Sequence, residues 1–146
     1  MFLEVTDNLF LSDKNTLKDI SEVDKHGVSL VVSVAGGRLQ LPAGVEHVKL
    51  HVKDDNKDSL LHQLDEVVQL IHHHVSRGDK VVVHCQAGLS RSPAVIMAYL
   101  VRFRRLTVEE ALAEVRKVRP RARPRERLLE DLQKYFEICL AERGNG

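Results

Sequence analysis

Tryptophan is absent from this chain, and aromatic residues supply only 4% of its 146 positions, so aliphatic side chains must fill the interior. Two cysteines, Cys85 and Cys139, are too few and too far apart for a disulfide-stapled secreted scaffold. Neither has a second cysteine at metal-ligand spacing. No stretch approaches the roughly 20 apolar residues of a membrane span. Met1-Phe2-Leu3-Glu4 lacks a basic segment followed by an apolar run, so no secretory leader is expected, and Phe2 stands where myristoylation needs glycine. A net charge of only +1 argues against nucleic acid as a partner. The expected setting is reducing, cytoplasmic or nuclear.

What is present is ordinary for a globular protein, at 43% hydrophobic and 29% charged, and it is enough for one domain over residues 1–146. Charge is unevenly placed. Residues 1–80 carry nine basic against thirteen acidic side chains, and residues 81–146 carry thirteen against eight. A basic C-terminal portion leans toward an anionic ligand.

Short apolar runs alternate with helical patterns, the rhythm of an α/β domain. Leu3–Val5 and Leu9–Leu11 flank the turn-forming Asp7-Asn8 and pair as short strands. Asn15–His26 reads as one helix, with Leu17, Ile20 and Val23 inward and Gly27 as its stop. Ser29–Val34 reads as a strand covered on both faces, and Val45–Val52 as another. Leu60–Arg77 is an amphipathic helix ended by Gly78. The β-branched run Val81-Val82-Val83 marks Lys80–His84 as a central parallel strand. Pro93 suits the first turn of the next helix. Thr107 and Glu110 form a capping-box pattern before Val108–Val118. A last helix runs from about Arg125 to Glu142, with Leu128, Leu132, Tyr135 and Phe136 inward and a frayed Arg143–Gly146 tail. The expected fold class is α/β: a central, largely parallel sheet flanked by helices on both sides.

The chemistry lies in His84-Cys85-Gln86-Ala87-Gly88-Leu89-Ser90-Arg91-Ser92, read as strand, cysteine, tight loop, arginine, helix start. A loop ending at a helix N-terminus aims unpaired N–H groups at one spot, and the helix dipole assists an anion there. Gly88 lets the loop curl closely around its ligand. Arg91 lies six positions after Cys85, where its guanidinium can grip two oxygens of a tetrahedral anion. Amides and a guanidinium around a thiol favour the thiolate, which is the nucleophile. Beneath a bound phosphate it is placed for in-line attack. Gln86, Ala87, Gly88, Leu89, Ser90 and Arg91 are thus the candidate phosphate binders. His84 orients the loop, and Ser92 assists departure of the Cys85 thiolate or simply caps the helix, two compatible roles. Leaving-group protonation needs an acid, and the loop Asp54-Asp55-Asn56-Lys57-Asp58 is its natural source.

That nine-residue stretch resembles the His-Cys-x-x-Gly-x-x-Arg-Ser signature of the dual-specificity protein phosphatases, in their small atypical form. The resemblance extends through Pro93–Leu100 and Glu110-Ala111 to Arg119-Pro120, and upstream to Leu9-Phe10-Leu11 and Asp54–Leu60. It implies hydrolysis of phosphotyrosine and phosphoserine or phosphothreonine through a phosphocysteine, with Cys85 attacking, Arg91 clamping and no cofactor or metal. The family's catalytic aspartate lies six places before a leucine, which selects Asp54 ahead of Leu60. Phosphoinositide-directed relatives carry basic residues inside the loop, which Gln86, Ala87, Leu89 and Ser90 do not. A phosphorylated protein is therefore the implied partner. Two departures stand out. Pro124-Arg125-Glu126-Arg127-Leu128 replaces the family's Pro-Asn-x-Gly-Phe, and Ser12 stands where the early strand usually ends in glycine.

Several residues have plainer readings. His72-His73-His74 are consecutive on a helix, so they diverge and read as a solvated face rather than a metal site. Cys139 reads as a core residue. Arg119, Arg121, Arg123, Arg125 and Arg127 alternate through a proline-broken connector, serving either solubility or docking of an acidic segment or phospholipid. Three functional rivals remain: a phosphoprotein-binding pseudophosphatase, a sulfur-transfer or arsenate-reducing enzyme, and the same hydrolase acting on a lipid or RNA phosphate.

Overall fold

The computed structural model describes residues 1–52 and 60–145, the side chain of residue 145 excepted. Its sheet contains β1 (Phe2–Thr6), β2 (Leu9–Asp13), β3 (Val28–Ser33), β4 (Glu46–Lys49) and β5 (Lys80–Cys85), in the order β1-β2-β5-β3-β4. Only the β1–β2 hairpin is antiparallel; β5 runs parallel to both β2 and β3, and β3 parallel to β4. Asn8 supports the hairpin turn with a φ of 67°, a conformation asparagine tolerates well.

Strand β5 is central because both its faces are apolar. Val81, Val82 and Val83 are all fully buried. Val81, Val83 and Cys85 face the larger core, shared with α3 (Leu61–Ser76), α4 (Arg91–Phe103), α5 (Val108–Val118) and α6 (Glu126–Asn145). Val82 faces a smaller core with Leu17 and Val23, from α1 (Lys14–Leu17) and α2 (Ile20–Lys25). Helix α4 is buried from Ser92 to Val101 and is the spine of the helical layer. No helix among the described residues is long and apolar enough to cross a membrane.

Several elements differ from their sequence reading. The helix expected over Asn15–His26 is two short ones, because two caps lie close together. Asp13 accepts from the Thr16 N–H and starts α1, and Asp19 accepts from the Ser21 N–H and starts α2. Ile20 consequently sits outside, at 44% exposure. The strand expected over Val45–Val52 pairs only from Glu46 to Lys49, and afterwards a single bond, Leu50 N–H to Ser33 O at 2.8 Å, follows β3. The expected frayed tail continues α6 to Asn145. Phe136 is only half-buried, whereas Leu128, Leu132 and Tyr135 are inside.

The histidine triplet is not a solvated face. His72 stacks on Phe103 with ring centroids 3.8 Å apart, and His74 is buried between Asp79 (3.1 Å) and Glu46 (3.5 Å). Only His73 is exposed. The altered segment before α6 still docks its helix. Tyr135 donates its hydroxyl to Asp65 at 2.8 Å, and buried Asp131 accepts the Leu60 N–H at 2.9 Å. The Thr107–Glu110 capping box is reciprocal, at 3.1 and 2.9 Å.

His84 joins the strands beneath the loop. It is 2% exposed, and its Nε2 lies 2.6 Å from Ser33 Oγ, which meets His47 Nε2 at 2.7 Å. Burial pushes the His84 imidazole from 6.5 down to about 4; His47 and Lys14 push the same way, and the Cys85 backbone opposes them.

Two measurements test this scaffold. Leu64→Ala, in the larger core, should cost about 2–5 kcal/mol in urea unfolding, and Thr107→Ala about 1 kcal/mol through its cap; the reverse order would refute the assigned packing. His84 refuses a proton that the unfolded chain accepts between pH 6.5 and about 4, so its contribution is present above that window and lost as pH falls through it. His84→Gln should therefore flatten the decline in stability there, by up to about 1.4 kcal/mol per pH unit. Equal slopes for variant and wild type would contradict a buried neutral imidazole.

Candidate active site

Strand β5 ends at Cys85 and helix α4 begins at Arg91, so the intervening loop joins the carboxyl end of the central strand to a helix N-terminus. Open parallel sheets place ligands at that end of their strands. The loop's conformation is imposed by its neighbours. The Gln86 carbonyl accepts the Lys14 N–H at 3.3 Å, and the Leu89 carbonyl accepts the Arg123 N–H at 2.6 Å. Arg119 donates from Nη2 to the Ala87 carbonyl at 3.0 Å and from Nε to the Gly88 carbonyl at 3.5 Å.

A trans peptide holds its C=O and the following N–H on opposite sides. Drawing the carbonyls of residues 86 to 89 toward their outer partners turns the N–H groups of Ala87, Gly88, Leu89 and Ser90 the other way. Among the described residues none of those four N–H groups has a protein acceptor. Gly88 sits at φ +70°, where other residues are strained, and a Cβ there would lie a tight 3.1 Å from the Ser12 carbonyl oxygen. Ser12 is fully buried beside the loop, and its hydroxyl donates to the Met1 carbonyl.

Cys85 is 3% exposed, and its Sγ lies 3.1 Å from the buried Ser92 hydroxyl. Ser92 is not the helix cap. Ser90 holds that position, no side chain caps α4, and the Ser90 hydroxyl instead accepts the Arg125 N–H at 3.1 Å. The first-turn amides of α4 and the positive end of its dipole are thus left to an anion. Arg91 donates from Nη1 to the Val52 carbonyl at 3.1 Å, and its buried Nε has no partner among the described residues. Four amides, a free guanidinium edge and a thiol at the base form a cradle suited to a tetrahedral oxyanion. Among the described residues no cluster of three or more His, Cys, Asp or Glu side chains is placed to hold a metal ion.

The structure thus brings together Cys85, Gln86–Ser90, Arg91 and Ser92, with His84 directly beneath. Asp54, like Asp55 and Asp58, lies outside the described residues. The chain enters that segment from Val52, beside Arg91, and leaves it at Leu60, whose N–H is held by Asp131. Arg119 and Asp131 were not legible as site-building residues. The first was one arginine among five, and the second one acid on a helix. Cys139 is buried in the larger core, as expected, and both cysteines are unpaired.

Comparison with known proteins agrees with this architecture. A family model described as the catalytic domain of dual specificity phosphatases matches residues 9–138. Dual specificity phosphatase 28 of Homo sapiens is 33% identical over 141 residues, covering 96% of this chain and 80% of the human one. Tyrosine-protein phosphatase yvh1 of Schizosaccharomyces pombe is 29% identical over 136 residues, covering 92% of this chain; the match spans only 41% of the yeast protein. Among solved structures, human DUSP28 superposes with a TM-score of 0.89 at 31% identity, covering 95% of each chain. A mouse dual specificity phosphatase complexed with zinc tungstate gives 0.89 at 30% identity, covering 97% of this chain and 90% of that one. Matched by the family model over most of its length, this chain belongs to the dual specificity phosphatase family.

Proposed function

We propose that residues 1–146 form a catalytic domain that hydrolyses phosphotyrosine and phosphoserine or phosphothreonine in proteins through a phosphocysteine, in a reducing compartment, the cytoplasm or nucleus. The observation that carries this reading is the set of four outward-held carbonyls above Cys85. In this mechanism the Cys85 thiolate attacks phosphorus and the S–P bond forms as the P–O bond to the leaving group breaks. The loop amides and Arg91 hold the three equatorial oxygens, where charge accumulates. Water then attacks the phosphocysteine, releasing inorganic phosphate and the thiolate, which the Ser92 hydroxyl at 3.1 Å receives with a hydrogen bond.

Asp54 is the proposed acid in the first step and base in the second. Asp54 follows Val52 by two positions in the sequence, and the Val52 carbonyl accepts from Arg91 at 3.1 Å, which supports this choice. Asp58 instead precedes Leu60 by two positions in the sequence. Tetrahedral anions serve as direct probes; tungstate, present in the mouse relative's structure, and vanadate should compete with substrate.

The reading is tested by turnover of an aryl phosphate, phosphopeptides, phosphoinositides and RNA 5′-phosphates. Phosphopeptides should be the preferred physiological class, and activity should survive excess chelator. Cys85→Ser should abolish turnover and Arg91→Lys nearly so, since a point charge lacks the fork. Unchanged hydrolysis by Cys85→Ser would refute the covalent mechanism, and a preference for lipid or RNA would reassign the substrate.

Asp54→Asn should lose about 10²–10⁴-fold on phosphothreonine peptides, whose alkoxide leaving group needs protonation. The loss should be smaller on aryl phosphates with acidic phenols, and the alkaline limb of the pH–rate profile should disappear. Asp55→Asn and Asp58→Asn should stay within a few-fold of wild type. If the leaving-group-dependent loss follows Asp55 instead, the acid is one residue further on.

A further inference from the structure

The sheet face that carries the smaller core is aliphatic at Val31 and Val82 and changes character just below the phosphate loop. Ser33 of β3 is the register partner of His84 of β5, and Val31, two residues earlier, is the partner of His47 of β4. Side chains two apart share a face, so three adjacent strands present Ser33, His84 and His47 as one polar row. Ser33 and His84 are 3% and 2% exposed. The Ser33 hydroxyl lies 2.6 Å from His84 Nε2 and 2.7 Å from His47 Nε2. Aliphatic side chains would fill this row without the cost of desolvating an imidazole and a hydroxyl. The hydrolytic steps described above call on neither Ser33 nor His47.

One serine proton has to serve two ring nitrogens. Burial and, after it, Lys49 push His47 toward its neutral form, and burial does the same to His84, so each ring carries a single proton at neutral pH. A neutral imidazole donates from one nitrogen and accepts at the other. The buried hydroxyl is therefore satisfied when one ring donates to its oxygen and the other accepts its proton. Next along the strand, the Cys85 main chain favours a proton on the His84 ring, as a carbonyl does. With Nε2 committed to Ser33, the nitrogen left to serve it is Nδ1, which is buried and otherwise unpartnered among the described residues. The polarity of the row follows. His47 Nε2–H donates to Ser33 Oγ, Ser33 O–H donates to His84 Nε2, and His84 Nδ1–H turns to the Cys85 carbonyl.

We propose that Ser33 and His47 are positioning residues of the phosphatase reaction, which keep the His84 proton on Nδ1 and through it hold the Cys85 main chain. The inference rests on the phosphatase reading above and extends its machinery to β3 and the edge strand β4. A trans peptide sets its C=O and the following N–H on opposite sides. A held Cys85 carbonyl thus fixes the direction of the Gln86 N–H, and with it the peptide plane from which the four turned planes of the loop continue. That plane starts at the Cα that carries the thiol. Ser33 and His47 act through His84 on the line of Sγ attack, so their removal is felt in kcat rather than in KM.

His47 is half-buried on the edge strand, so its substitution leaves the core intact. His47→Phe should lower kcat on a phosphopeptide about five- to tenfold, the worth of one hydrogen bond, with KM unchanged. His47→Gln, whose side-chain N–H stands in for Nε2–H, should recover most of the loss. Ser33→Ala should match His47→Phe, and the double variant should lose no more than either alone, as links of one chain do. Alkylation of Cys85 by iodoacetamide, which needs no phosphate, should slow in His47→Phe and recover in His47→Gln. Heteronuclear NMR of the ring nitrogens should find the proton of His84 on Nδ1 and that of His47 on Nε2. The opposite pair of tautomers would overturn the proposal, as would wild-type kcat and alkylation in His47→Phe, or equal losses in the Phe and Gln variants. Wild-type protein that turns over no phosphopeptide would refute the phosphatase reading itself, and the tautomers and alkylation rates would still decide whether the chain holds Cys85.

Discussion

Everything in this active site depends on the direction of four successive peptide planes. An isolated loop of six or so residues has no reason to turn its amides inward, because parallel N–H dipoles crowded on one spot repel each other. Here the opposite edge of each plane is engaged: the Lys14 amide, the Arg119 guanidinium and the Arg123 amide take the carbonyls of residues 86 to 89. A net hydrogen bond contributes about 1 kcal/mol, somewhat more when one partner is charged. Together they favour the inward-facing amides before a ligand arrives, which lessens the ordering that binding has to supply.

The rest of the fold supplies those partners from opposite directions. Lys14 lies immediately after β2, which pairs with β5 up to the Asp13–Cys85 match. Arg119 and Arg123 come from the connector after α5. The cysteine is carried by a strand buried on both faces, and the arginine by a helix buried over ten successive residues, Ser92 to Val101. Cys85 and Arg91 are thus mounted on two deeply buried elements, as a site needing positions accurate to a fraction of an ångström requires.

The parts of this architecture written in local pattern were legible in the sequence. The β-branched run of β5, the capping box of α5, the strand–loop–helix punctuation around Cys85 and the stop at Gly78 each depend on near neighbours. What escaped depends on partners far along the chain. The break between α1 and α2 was obscured because Leu17, Ile20 and Val23 keep helical spacing although Asp19 restarts the helix. His74 was misjudged because its environment comes from β4 and the turn after α3, through Glu46 and Asp79. Arg119 was hidden among arginines of identical chemistry, and only the fold distinguishes the one that turns inward to the loop carbonyls. The alternation of the remaining arginines was visible in the sequence; that Ala122 and Pro124 would be buried between them was not.

The contact between Asp131 and the Leu60 amide spans 71 positions of sequence. Its consequence concerns concentration rather than stability. The segment carrying Asp54 is anchored at one end where Arg91 holds the Val52 carbonyl, and at the other where α6 holds Leu60. In the proposed reaction, a proton donor drawn from between those two anchors works at an effective molarity set by them rather than by diffusion. One of those anchors belongs to the last helix of the chain, which contributes no atom to the phosphate cradle. On that proposal the C-terminal helix becomes a determinant of how often the acid meets its leaving group, and substitutions along its buried face should alter turnover without reaching the cysteine.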